Sequence, residues 1–89
     1  METPQEEVDL IFETTDFTLA EAGELPQTGK EYENFEIARL RTEILVSIME
    51  QKTTSLNSKS IARIKKISDG LEKAYKLARS EASQKTMQI

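Results

Sequence analysis

The chain has 89 residues, a net charge of −4 from 16 acids against 12 bases, and neither cysteine nor histidine. That excludes disulfides, thiolate nucleophiles, Cys/His zinc sites and Ser-His-Asp catalysis, and it fits a reducing, cytoplasmic setting. Leu, Ile, Val and Phe total 21, enough for one small core but thin for a chain of this length, where partners commonly complete the fold.

Charge is divided unevenly. Residues 1–36 carry eleven acids against Lys30 alone, whereas residues 37–89 carry eleven bases and five acids. The split reads as a poorly ordered acidic arm over residues 1–16, a helical domain over 17–83 and a frayed tail over 84–89. Within the arm, Thr3-Pro4-Gln5-Glu6 has the form of a helix start, with Thr3 as cap and Pro4 in the first turn. Val8, Leu10 and Phe12 alternate, however, so a turn or two of helix and a short strand both fit. A short helix is expected from Thr18, where Thr18-Leu19-Ala20-Glu21 has capping-box spacing and Gly23 is placed to close it in a left-handed cap.

Leu25-Pro26-Gln27-Thr28-Gly29 spells a sortase anchoring signal. Such a signal precedes a hydrophobic tail and basic residues, and here sixty residues of amphipathic sequence follow. The segment reads as a loop between helices. The longest apolar-rich run, Ile44 to Met49, is six residues, far below the roughly 20 that a membrane helix needs. No membrane association is expected.

The first long helix is expected over about residues 30–52. Ile37, Leu40, Ile44 and Ile48 recur at steps of three and four as one apolar stripe. Ala38, Leu45 and Met49 form a second stripe, widened by Phe35 and Val46. A helix apolar over so much of its circumference needs cover on more than one side. Thr53 to Ser58 reads as a connector, with Asn57 or Ser58 capping a second long helix to about residue 82. Its core stripe is Ile61, Ile64, Ile67, Leu71, Ala74 and Ala78, bordered by Tyr75. Gly70 interrupts that stripe and costs roughly 1 kcal/mol against alanine in a helix. It signals a bend, a helix end, or close approach by another backbone. The fold class is therefore all-α: two long helices, the second broken near Gly70 or running through it, a short N-terminal helix and the acidic arm.

Catalysis, cofactors, metals and a small-molecule substrate are not expected. Three glycines lie too far apart for a phosphate loop. Glu31, Glu33 and Glu36 sit near a helix start, where acids serve the helix dipole. Lys59, Arg63, Lys66, Lys73 and Lys76 cluster on the outer side of the second helix and are the residues that would contact phosphates. No aromatic ladder accompanies them for stacking bases, so direct nucleic-acid contact is a minor reading.

Two blocks point further. One is Gly29-Lys30-Glu31-Tyr32-Glu33 followed by Ile37-Ala38, Arg41 and Ile44. The other is Ser60-Ile61-Ala62-Arg63-Ile64-Lys65-Lys66-Ile67-Ser68-Asp69-Gly70-Leu71. Together, over residues 18–72, they resemble the omega subunit family of RNA polymerase, which includes the shared sixth subunit of archaeal and eukaryotic polymerases. The chain departs from that pattern at Arg41-Thr42-Glu43, where the family usually has Arg-Ala-Arg, and at Lys66, where an acid is common. The resemblance implies a non-catalytic subunit that binds the largest catalytic subunit and aids its assembly. It implies that Tyr32, Ile37, Ala38, Arg41 and Ile44 face that partner, and that Ile64, Ile67 and Gly70 pack the second helix on the first. Two alternatives stand beside it. One is a helical hairpin that self-associates into a four-helix bundle as an adaptor or regulator. The other is a nucleic-acid-binding regulator using the basic helix face.

Overall fold

The computed structural model describes residues 3–87, with side chains through residue 82. Four α-helices follow in order: α1 (Pro4–Thr14), α2 (Thr18–Ala22), α3 (Gly29–Gln51) and α4 (Ser58–Met87), with a single 3-10 turn at Thr53–Ser55 between the last two. The described residues are all-α, as the apolar periodicity predicts. None of the helices is long and apolar enough to cross a membrane.

The helix ends follow local chemistry. Thr3 Oγ1 accepts the Glu6 N–H at 3.2 Å and Pro4 opens α1. Gly23, at φ 70°, closes α2, donating to Ala20 O while Glu24 N–H reaches Leu19 O. These bonds satisfy carbonyls that the helix end leaves open. Thr28 Oγ1 accepts the Glu31 N–H and Glu31 Oε1 accepts the Gln27 N–H, both at 3.1 Å, which starts α3 one residue before Lys30. Asn57, rather than Ser58, caps α4 by accepting the Ser60 N–H at 2.8 Å. At α2 the expected capping box is absent. Asp16 takes the Thr18 N–H at 3.0 Å instead, so Thr18 is the first helical residue and not the cap.

One core joins all four helices. Val8, Phe17, Ala20, Phe35, Leu45, Ile64 and Ile67 belong to the same buried cluster, closed at the interhelical loop by Leu56. Residues 4–14 are thus not a poorly ordered arm. They form an 11-residue helix whose Val8 is fully buried. Gln5 fastens this helix across the molecule, donating to Ser60 Oγ at 2.8 Å and accepting the Asn57 N–H at 2.8 Å. The acids that suggested a solvated tail occupy the outer side of α1: Glu6, Glu7, Asp9 and Glu13 are all exposed.

Of the two readings of the second long helix, the unbroken one is realised: α4 runs through Gly70. It extends past residue 82 to Met87; residues 88 and 89 of the expected tail lie outside the described region. The two stripes of α3 divide between core and surface. Phe35, Ala38, Thr42 and Leu45 face the core, whereas Ile37, Leu40 and Ile44 are 44%, 52% and 51% exposed. Thr42 is the polar member of the buried stripe. Its hydroxyl donates to Ala38 O at 2.6 Å, which satisfies its one donor inside the helix and lets a polar residue occupy a core position.

Candidate protein-docking face

The outer face of α3 is set by what the inner face has already consumed. Leu45 is fully buried, and Val46, Ile48 and Met49 pack partly against the core. Ile37, Leu40 and Ile44 then recur at three- and four-residue steps on one exposed strip of the helix. Tyr32, 61% exposed, lies nearer the start of α3. It is five residues before Ile37, so it points well away from the strip around the helix.

Arg41 borders the strip and is held within the chain. Its guanidinium donates to Thr14 O at 3.0 Å and to Thr15 Oγ1 at 2.6 Å. The last turn of α1 has no basic residue of its own, so Arg41 supplies from another helix the positive charge and donors that a helix C-terminus favours. Its side chain is thereby turned toward α1 rather than toward a partner. Ala38, 1% exposed, lies in the core. Of the residues assigned to a partner, Tyr32, Ile37 and Ile44 are exposed, while Ala38 and Arg41 build the chain itself. Leu40 belongs to the face and was missing from that set. Its spacing from Ile37 and Ile44 is the signal that finds it.

Ile64 and Ile67 are fully buried core residues of α4. Gly70 serves another contact than the expected one with the first long helix. A Cβ there would lie 1.8 Å from Ala20 O and 2.9 Å from Glu21 O, and a Cβ on Gly23 would lie 3.2 Å from Gly70 O. Gly70 and Gly23 therefore let the backbones of α4 and α2 touch. Of the three meanings a glycine has at this position, close approach is the one realised.

The basic residues of α4 do not make an unbroken phosphate track. Arg63 pairs with Glu21 at 2.8 Å and stacks over the Phe12 ring at 4.4 Å, with Phe12 edge-on to Phe17. Lys76 pairs with Glu72 at 3.3 Å. Lys73 lays its aliphatic stem over Gly23. Lys66 and Lys73 share a cleft with Glu21 and Asp69, and Lys59 shares one with Asp9. Acids thus break up the positive surface at each step.

Among the described residues no group of three or more acids is placed to hold a metal ion. Glu31 is committed to the Gln27 N–H, and Glu36 to Arg39 at 3.2 Å. That Glu36 hydrogen bond, ahead of the charge attraction of Glu36, holds the Arg39 guanidinium protonated even more firmly than usual. Hydrogen bonds from the Thr18 hydroxyl and then its N–H hold Asp16 below the ordinary carboxylate range. Both groups have structural partners that explain their shifts, so neither marks a reactive centre.

Compared with known protein families, with curated proteins and with solved structures, the chain matches none.

Proposed function

We propose that this chain is a non-catalytic docking subunit that binds a larger protein through the outer face of α3. One observation carries the reading: Ile37, Leu40 and Ile44 are each about half exposed on a helix whose other face already fills the core. Aliphatic anchors at such spacing are what helix-in-groove recognition reads. The omega resemblance supplies the partner, the largest catalytic subunit of RNA polymerase. In this reading Ile37 and Ile44 make the contact, with Leu40 between them, and Tyr32 lies outside it. Ala38, Arg41, Ile64, Ile67 and Gly70 act indirectly, by fixing the helix that presents it.

The test is capture of the polymerase largest subunit from the same organism by the purified chain and by its Ile44→Asp variant. The expected result is capture by the first and loss by the second, because a carboxylate buried without a partner costs several kcal/mol. Equal capture by both, or by neither, overturns the polymerase reading.

A further inference from the structure

We propose that the chain also forms a two-fold dimer through the distal part of α4, with each copy's helix end lying in the groove between α3 and α4 of the other. This surface is separate from the outer face of α3, so the proposal does not depend on the docking role.

Three observations lead to it. First, α4 outruns its own core. Among the described side chains its last buried residue is Ala74, and every residue from Tyr75 to Ala82 is exposed. The molecule is correspondingly long, 55 Å against 23 and 16 Å. An exposed helical stretch such as Tyr75 to Arg79 gains little from its own core, since helical stability in proteins comes mostly from packing.

Second, the apolar stripe of α4 does not stop where the core stops. Ile64, Ile67, Leu71 and Ala74 are buried at steps of three and four, and Ala78 continues the series while exposed. Tyr75, 44% exposed, widens it. A sustained series of this kind is the seam of one helix against another, and alanine at Ala78 permits a close approach.

Third, the seam ends beside a receptor of opposite charge. An open groove of about 450 Å³ separates α3 from α4, with Val46, Leu71 and Tyr75 among its apolar walls and Glu43, Glu50 and Glu72 among its charges. The base in its wall, Arg39, is already occupied by Glu36 and Glu43. The distal end of α4 brings Lys76 and Arg79, and Arg79 follows Tyr75 at i+4 and lines with it, Ala78 and Ala82 one open surface. Glu81 follows Ala78 at i+3, on the flank of the stripe away from Tyr75.

Tyr75 belongs both to the groove and to the exposed end, and this sets the symmetry. A two-fold axis beside Tyr75 pairs the α4 helices antiparallel. It brings Arg79 of each copy level with Glu72 of the second copy and lays residues 76–82 along the second copy's groove. Glu72 is free to change partners, because its pair with Lys76 at 3.3 Å is two-thirds exposed on both sides and such pairs are weak.

The mass of the full chain in solution, by sedimentation equilibrium over a range of concentrations, tests the proposal. The expected value is twice the 10.1 kDa of one chain. Ala78→Glu abolishes the dimer, and Arg79→Glu weakens it by about tenfold or more, since it sets like charges opposite each other twice. The double variant Glu72→Arg/Arg79→Glu restores it, which a merely structural role for Arg79 would not produce. The chain has no cysteine, so Tyr75→Cys introduces a single thiol next to the axis, and mild oxidation links two copies through it, whereas Tyr32→Cys gives no linked species. A monomer at every concentration overturns the proposal. So does a dimer that survives Ala78→Glu but is lost in Ile44→Asp, which would move self-association to α3. Dimerisation by wild type and Ile44→Asp alike, without capture of polymerase, would leave this inference standing while the docking role fails.

Discussion

The seam between α2 and α4 and the outer face of α3 use their residues in opposite ways. At the seam, a 5-residue helix with one fully buried alanine is brought into backbone contact with α4 by two glycines. Little apolar area is available there, yet the geometry leaves no room for a methyl group. On α3, three large aliphatic side chains carry far more apolar area and bury only about half of it. The difference separates apolar content from structural role. Small residues at a close contact set the fold, and large residues on an open strip remain available to something outside it. Four substitutions and one titration sharpen that contrast, from the largest effect to the smallest.

Leu45→Ala gives the greatest loss. Leu45 is among the largest fully buried side chains, and removing it forfeits transfer energy and leaves a cavity, about 2–5 kcal/mol in all. Denaturant unfolding followed by circular dichroism measures it. A loss no greater than that of Ile44→Asp would mean that the inner and outer faces of α3 have been exchanged.

Gly70→Ala comes next, and its sign is the sharper test. In an open helix the substitution is worth about 1 kcal/mol of stabilisation. Here the new Cβ would lie 1.8 Å from Ala20 O, a backbone atom that moves only if all of α2 moves. The expected outcome is a net destabilisation of about 1–3 kcal/mol. Gly29→Ala, where nothing lies within 4 Å, is the control and should leave the thermal midpoint unchanged or raised. A rise for both variants would show that α2 does not sit on Gly70.

The same contrast explains how much of the fold is readable from the chain. Local chemistry is legible: Thr3 caps α1, Gly23 takes the left-handed turn and Asn57 caps α4 because each acts on residues within a few positions of itself. The seam is half legible. Gly70 stands out within its stripe, but its neighbour across space is Ala20, fifty residues away, and no period in the sequence connects them. The two stripes of α3 are legible as stripes, but their periodicity does not say which one the chain buries, because the buried series contains Thr42, whose hydroxyl is satisfied by Ala38 O. Acid content hides α1 for a similar reason, since Val8 needs only one side of that helix. Arg41 and Arg63 read as a partner contact and a phosphate contact because a sequence shows their charge and not Thr14, Glu21 or Phe12 beside them.

Arg41→Ala tests the tie between α3 and α1, an effect of about 1 kcal/mol for charge-assisted bonds that remain partly in water. Amide exchange gives the distinguishing readout: protection falls in the last turn of α1 and is kept across Ala20 and Gly70. Uniform loss of protection would show that Arg41 supports the whole molecule rather than one helix end.

Asp16 contributes less, and with a definite pH dependence. Its carboxyl is held below the ordinary range by Thr18, so its folded pKa is lower than its unfolded one. The stability it confers is complete above the unfolded pKa and is lost as pH falls through the folded value. Asp16→Ala should therefore lower the thermal midpoint slightly near neutral pH, and the gap to wild type should close in acid. A gap that is constant with pH would mean that Asp16 acts by shape and not by charge.

The smallest effect on stability is expected for Ile44→Asp, and it makes the docking experiment interpretable. Ile44 is 51% exposed and lies outside the buried cluster. Its replacement removes partly hydrated surface and places a carboxylate in water, where no desolvation penalty arises. The change in unfolding free energy should fall within about 0.5 kcal/mol of zero, one residue along the chain from the position where the largest loss is expected. The two neighbours point about 100° apart around the same helix, one into the core and one toward solvent. If Ile44→Asp keeps the wild-type midpoint and still fails to capture a partner, the loss belongs to the surface. If it unfolds the chain, Ile44 is a core residue and the outer face of α3 is not a docking face.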